Sequence, residues 1–94
     1  MKIRYTTEAH RDLLSAIDGV SREDPAAAAR LDDRLLAMIE RLAAGEFEGP
    51  ETMLTSGEVV RSWPVRPFRI YYERSADELL VVRIYHQART PIEK

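Results

Sequence analysis

Apolar residues recur with two different periods along this chain, and the change falls near residue 58. In the first half Ala9, Leu13, Ile17 and Val20 follow one another at spacings of 4, 4 and 3, with Leu14 widening the stripe. This spacing predicts an amphipathic helix over roughly 7–22. Thr6-Thr7 supplies an N-cap, and Glu8 places a carboxylate in the favourable first turn. Gly19 sits inside the helix at a cost of about 1 kcal/mol relative to alanine, so the last turn is expected to fray. Asp24-Pro25 is a strong helix start, a cap followed by proline at the first helical position. Ala28, Leu31, Leu35, Met38 and Leu42 then recur at spacings of 3, 4, 3 and 4, and Gly45 just past Ala44 supplies the stop. Two amphipathic helices joined by about three residues form an antiparallel hairpin. Ahead of them, Met1–Tyr5 reads as a short strand.

From Glu58 onward the period is two. Glu58–Val65, Phe68–Glu73 and Leu79–Tyr85 are rich in β-branched and aromatic residues and are predicted strands. Pro64 and Pro67 lack a backbone donor and belong at a strand end or edge. Gly45–Gly57 reads as a long loop, pinned to the body by Phe47, Met53 and Leu54, and Ala88–Lys94 as a short irregular tail. On one strand Phe68, Ile70 and Tyr72 share a face; on the next Leu80, Val82, Ile84 and His86 do. Both sets are expected to meet the helices, through a turn at Ser75–Asp77 that pairs Tyr72 with Leu80 or a register shifted from it by two. Arg69 and Tyr71, beside Val81, Arg83 and Tyr85, then form the opposite, open face. The expected architecture is α+β in the order β-α-α-β-β-β, a helical hairpin on one face of a small, mainly antiparallel sheet.

Ninety-four residues make one domain, 1–94, with a net stability of about 5–10 kcal/mol. No apolar run approaches the roughly 18 residues of a membrane span, and the N-terminus has no export-type apolar stretch, so a cytoplasmic location without membrane partners is expected. The chain has no cysteine, which removes disulfides, thiolate nucleophiles and Cys-ligated zinc. Its net charge is −2, but residues 1–57 carry 7 basic and 11 acidic side chains and residues 58–94 carry 7 and 5. All the basic residues except Lys2 and Lys94 are arginine, the residue suited to planar recognition of carboxylate or phosphate. This bias is far weaker than a duplex-DNA footprint.

The group Arg69, Tyr71, Arg83 and Tyr85 is the first candidate site. Its arginines can stabilise phosphate charge and its tyrosines can stack on bases or pass a proton. A solvated sheet face has the same composition. His86, at the end of the last strand, suits a general base at neutral pH, and its parity with Ile84 suits a core-edge residue equally well. His10 has no second ligand, so no metal site is expected. Asp32-Asp33 and Glu23-Asp24 are adjacent on or at the cap of a helix, about 100° apart, and form no catalytic dyad. Glycine-rich phosphate loops, nucleophile elbows and zinc-protease signatures are absent from the sequence, and no cofactor is expected. Arg11, Asp12, Arg30, Asp33 and Arg34 read mostly as a solvated helix face.

The element order, with VRPFRIYY at Val65–Tyr72 and RIYHQAR at Arg83–Arg89, resembles the ParE/RelE superfamily of bacterial toxins, the toxin halves of type II toxin–antitoxin modules. The resemblance covers nearly the whole chain. It implies a cognate antitoxin partner, whose disordered C-terminal segment folds onto the helical hairpin and the groove beside the sheet. The RelE-like branch implies ribosome-dependent mRNA cleavage, with Arg69, Arg83, His86 and Arg89 as the catalytic candidates. Lysines of such nucleases would fall near Val60 and Ser62 and their terminal tyrosine near Ile92, so those groups are missing. The Ile-x-His-x-x-Arg ending is closer to the ParE-like branch, which implies inhibition of DNA gyrase without a catalytic centre. In that case Arg69, Tyr71, Arg83, Tyr85 and Arg89 form a target-binding face.

Overall fold

A computed structural model describes residues 1–93. The elements are β1 (Lys2–Tyr5), α1 (Thr7–Ser21), α2 (Pro25–Ala43), β2 (Glu51–Met53), β3 (Val59–Val65), β4 (Phe68–Arg74) and β5 (Glu78–His86). Both helices start where capping chemistry places them. The Thr6 hydroxyl accepts from the Ala9 amide, and the Asp24 carboxylate accepts from the Ala26 and Ala27 amides ahead of Pro25. Gly45, at φ 76°, closes α2 in the left-handed conformation expected of a residue past a helix end. α1 runs past Gly19 to Ser21 without fraying.

The strands form one sheet in the order β1-β5-β4-β3-β2, parallel between β1 and β5 and antiparallel elsewhere. The α+β architecture read from the sequence holds, with one strand more than expected. Residues 51–53 form β2 where the composition predicts loop, and they pair with Val59–Arg61. Pro64 lies inside β3, yet β2 has ended by that point, so its donor-less edge faces no partner strand.

The helices cover one face of the sheet. Leu31, Leu35, Ile39 and Leu42 from α2 and Ala9 and Ala16 from α1 pack on Phe68, Ile70, Tyr72, Leu79, Val81 and Ile84. Leu14 stays outside this core, 59% exposed, and Met53 is also exposed and pins nothing. Phe47 does pin its loop, with its ring 4.3 Å from that of Trp63, and Leu54 is buried.

The expected register is corrected on β5. Tyr71 pairs with Arg83 but Tyr72 pairs with Val81, which leaves Val82 as a bulge. The inward-facing Val81 and Ile84 therefore stand three positions apart instead of two. Ile84 keeps its predicted side, whereas Leu80 and Val82 turn to the open face and Leu79 and Val81 enter the helix-side core.

Candidate functional site

The face turned away from the helices is not bare. Leu54, Val60, Tyr71 and Val82 form a second buried cluster, with Leu80, Tyr85 and Ile92 packed against it. The chain's last residues cover it. After β5 and a turn at Gln87–Ala88, residues 91–93 run back across the sheet, where Glu93 bridges to Leu54 and the Thr55 amide donates to the Ile92 carbonyl at 2.6 Å. The tail, expected to be irregular, thus acts as a strap; Lys94 lies outside the described residues.

Under that strap the hydroxyl of Tyr71, a residue only 4% exposed, donates to the Glu93 carboxylate at 2.6 Å, and Thr52 donates to its other oxygen at 2.8 Å. Burial, and then the carboxylate beside it, push the Tyr71 hydroxyl far above its usual range. Hydrogen bonds from Tyr71 and Thr52 hold Glu93 below its ordinary value. The signs follow from linkage. Tyr71 stays protonated in the fold, so its share of stability is intact below its ordinary pKa of 10.0 and is lost as pH rises above it. Glu93 stays ionised in the fold, so its share is intact above 4.5 and is lost as pH falls. Tyr71→Phe is therefore expected to cost about 1 kcal/mol at neutral pH. It should also flatten part of the alkaline limb of urea midpoints measured from about pH 7 to about pH 11. A remaining slope is expected from Tyr72, which burial and Glu48 raise in the same direction.

Arg69 lies half-buried on this face and donates to the Ser62 hydroxyl at 2.8 Å, opposite Tyr85 on β5. Tyr85 is half-buried and carries the Arg83 guanidinium 5.2 Å from its ring centre. Arg83 itself departs from the expected arrangement. β1 stops pairing with β5 at Val81, and from there α1 lies against the edge of β5. Asp12 on α1 accepts from Arg83 Nε at 2.7 Å, Arg83 Nη2 at 3.0 Å and the Ile84 amide at 3.0 Å. Arg83 is thus held by a charge-assisted fork, and the Asp12 hydrogen bond keeps its guanidinium more firmly protonated still. It does not stand free on the open face.

His86 packs edge-on against Phe68, with ring centres 5.1 Å apart, and its Nδ1 accepts from the Ala88 amide at 3.0 Å. In the neutral ring the proton is then on Nε2, so only that nitrogen is available outward. Arg89 is exposed and lines a cleft of about 180 Å³ with Tyr71, Tyr85, His86, Ile92 and Glu93. Arg69, Tyr71, Tyr85 and Arg89 are therefore brought to one face, and Arg83 and His86 stand at its rim in internal contacts. Among the described residues no group of three His, Asp or Glu side chains could hold a metal ion. No helix in them is long and apolar enough to cross a membrane.

Reading the sequence missed Asp12, which was assigned to a solvated helix face but is 13% exposed in its side chain. The available signal is its place on the line Ala9, Asp12, Ala16, spaced 3 and 4, where two small, buried residues mark a close approach. Also missed is the tether around Glu48 and Gly49. Tyr72 donates to Glu48 at 2.6 Å, Arg74 Nε donates to it at 3.0 Å, and the Gly49 amide donates to the Tyr72 hydroxyl at 2.7 Å. Burial works to raise the Glu48 carboxyl, and the bonds from Tyr72 and Arg74 outweigh it and leave it lowered.

Compared with known proteins, residues 3–91 match the family model for the ParE toxin of the type II toxin–antitoxin system parDE. Among solved structures, one described as a chromosomal ParDE TA system from P. aeruginosa superposes with a TM-score of 0.72. It is 21% identical over 92% of this chain and 95% of that one, a likeness of fold. No curated protein matches the chain.

Proposed function

Because the chain belongs to the ParE toxin family of type II toxin–antitoxin systems, we propose that it arrests growth by docking on DNA gyrase and that a cognate antitoxin neutralises it. It acts by binding through the face that carries Arg69, Tyr85 and Arg89, with Arg83 at its rim and the buried Tyr71 supporting it from beneath. The observation that supports binding over mRNA cleavage is the occupation of the groups cleavage would use. Arg83 is forked onto Asp12, the Tyr71 hydroxyl is committed to Glu93, and His86 Nδ1 is taken by a backbone amide. Cleavage at a ribose 2′-hydroxyl needs a base and an acid within reach of the scissile bond. A docking face needs shape and charge, and a rigid, internally bonded arginine–tyrosine surface supplies both at low entropic cost.

The test is purified protein titrated into a gyrase supercoiling reaction and, in parallel, into a translation extract programmed with mRNA. Supercoiling is expected to fall while the mRNA stays intact. Arg69→Ala, checked for an unchanged melt, is expected to weaken inhibition by about 10- to 30-fold, the usual cost of truncating an interface arginine. Undiminished supercoiling together with cut mRNA would overturn the proposal in favour of the RelE-like activity.

A further inference from the structure

The arginines of this chain divide into two groups. Seven of the twelve reach a carboxylate within 4.0 Å. Of the other five, Arg34, Arg66 and Arg89 gather at one end of the sheet, and none of the three has a carboxylate partner among the described residues. At that end β3 turns into β4 and β5 stops, since Phe68 pairs with both Val65 and His86.

The two turns there are tied side by side, with the Gln87 amide donating to the Pro67 carbonyl at 2.9 Å. α2 reaches the same place, where Arg34 Nη2 donates to the Arg66 carbonyl at 2.9 Å. This bond anchors the exposed Arg34 side chain next to Arg66. Arg89 stands next to His86, and the two line a pair of neighbouring clefts together.

Between the turns lies an open cleft of about 550 Å³, lined by Arg66, Pro67, His86, Gln87 and Ala88. Its backbone donors are already used inside the chain. The Ala88 amide bonds to His86 Nδ1 and the Arg89 amide to the His86 carbonyl at 3.1 Å. What faces outward is a set of side-chain donors: the guanidinium groups, the Gln87 amide and, in the neutral ring, His86 Nε2–H. The nearby acidic residues of α2 are turned elsewhere. Burial, and then the Asp32 and Glu40 carboxylates, raise the Tyr5 hydroxyl, which places those two carboxylates toward β1.

Donors without acidic partners suit an anion, and the rest of the lining says which kind. A protein surface docking in this cleft would need an apolar or aromatic anchor to bury, and the lining offers only Pro67 and Ala88. A phosphodiester backbone needs no such anchor, because its oxygens are held by arginine, histidine and glutamine donors spread along the strand. Arginine in place of lysine fits this as well, since its fork grips two oxygens of one phosphate.

We infer that this end of the chain is a contact for the phosphate backbone of DNA, made by Arg34, Arg66, His86 Nε2, Gln87 and Arg89. The inference rests on the gyrase reading and extends it: the protein docks on gyrase and at the same time on the duplex that gyrase carries. Arg89 belongs to the docking face too, so the two surfaces are continuous. Three guanidinium groups neutralise about three phosphates, too few for a chain of net charge −2 to hold DNA by itself at physiological salt. Beside gyrase the duplex is already at high effective concentration, and the same few contacts then add measurably to affinity.

Fluorescence anisotropy of the labelled full chain, titrated with bare gyrase and with gyrase loaded on a duplex, tests this. The parent is expected to bind the loaded enzyme at least about tenfold more tightly, with the difference fading as salt rises. Arg34→Gln combined with Arg66→Gln alters two exposed side chains, so it should melt with the parent and bind bare gyrase equally well. It should lose most of the preference for loaded gyrase and flatten the slope of log affinity against log salt by about 2. Equal affinity of the parent for bare and loaded gyrase, or a preference that survives in the double variant, would overturn this inference and leave the gyrase reading standing. A double variant weakened equally on bare enzyme would assign these cations to acidic residues of gyrase, against the proposal. Failure to bind gyrase in either form would overturn both.

Discussion

Asp12→Ala is expected to lower stability by about 3 kcal/mol, within the range for breaking a largely desolvated ion pair. For a chain of this size that is a fall in melting temperature of about 15 °C. One carboxylate serves three donors, the two arms of the Arg83 fork and the Ile84 amide. Truncation leaves a guanidinium that is only 29% exposed without a partner and a strand amide without an acceptor. It also uncouples α1 from the edge of β5 where β1 no longer covers it. Asp12→Asn keeps acceptor oxygen but no charge and should recover about half of the loss. Asp12→Ala combined with Arg83→Met removes the stranded charge as well, and should be less damaging than Asp12→Ala alone. Thermal and urea melts of the three variants check this. A single Asp12→Ala change within about 0.5 kcal/mol of the parent, the level of an ordinary surface substitution, would contradict the assigned geometry.

The second large effect is expected at Gly49→Ala. A Cβ there would lie 1.9 Å from the Ser62 carbonyl oxygen and 2.8 Å from its carbon, and both atoms are backbone inside a strand. No rotamer change relieves such a contact, so the segment must lift off β3. The lift breaks the bonds that anchor it, those from the Gly49 amide to the Tyr72 hydroxyl, from Arg61 Nη1 to the Gly49 carbonyl at 2.8 Å and from the Ser62 amide to the Pro50 carbonyl at 3.1 Å. A loss of about 3 kcal/mol is expected, at the upper end for overpacking a tight site. Gly19→Ala provides the contrast, since open space surrounds that position and the helix gains, so stability should rise by up to about 1 kcal/mol. Urea midpoints of the two variants moving in opposite directions would bear this out; equal shifts would not.

The helical hairpin was legible because each of its determinants is local. Thr6 and Asp24 are caps by chemistry, and the apolar spacings of 3 and 4 set the buried faces. β5 shows why the sheet was less so. Leu79, Leu80, Val81 and Val82 are all apolar, so no polar residue marks which pair faces outward, and the bulge at Val82 changes the parity without any glycine to announce it. β2 was hidden because three residues between Pro50 and Leu54 carry no period, and their pairing is dictated by β3 alone. At the candidate site the residue types were readable and their commitments were not. Arg69, Tyr71 and Tyr85 could be placed on one face by alternation. That Glu93 and Ile92 would return across it, and that Asp12 would claim Arg83, depends on contacts between residues 22 and 71 positions apart. Gly49 gave no signal beyond being one of three glycines in the stretch Gly45–Gly57, since its role is set by the proximity of Ser62.

The central claim is that this ParE-family chain acts by docking on the replication machinery and not by cutting message. A pulse-label time course after its induction in a bacterium, following incorporation into DNA and into protein separately, tests that most directly. The account predicts that DNA synthesis fails first and that protein synthesis declines only afterwards, with Arg69→Ala delaying both. Protein synthesis failing first, with DNA synthesis sustained, would contradict it.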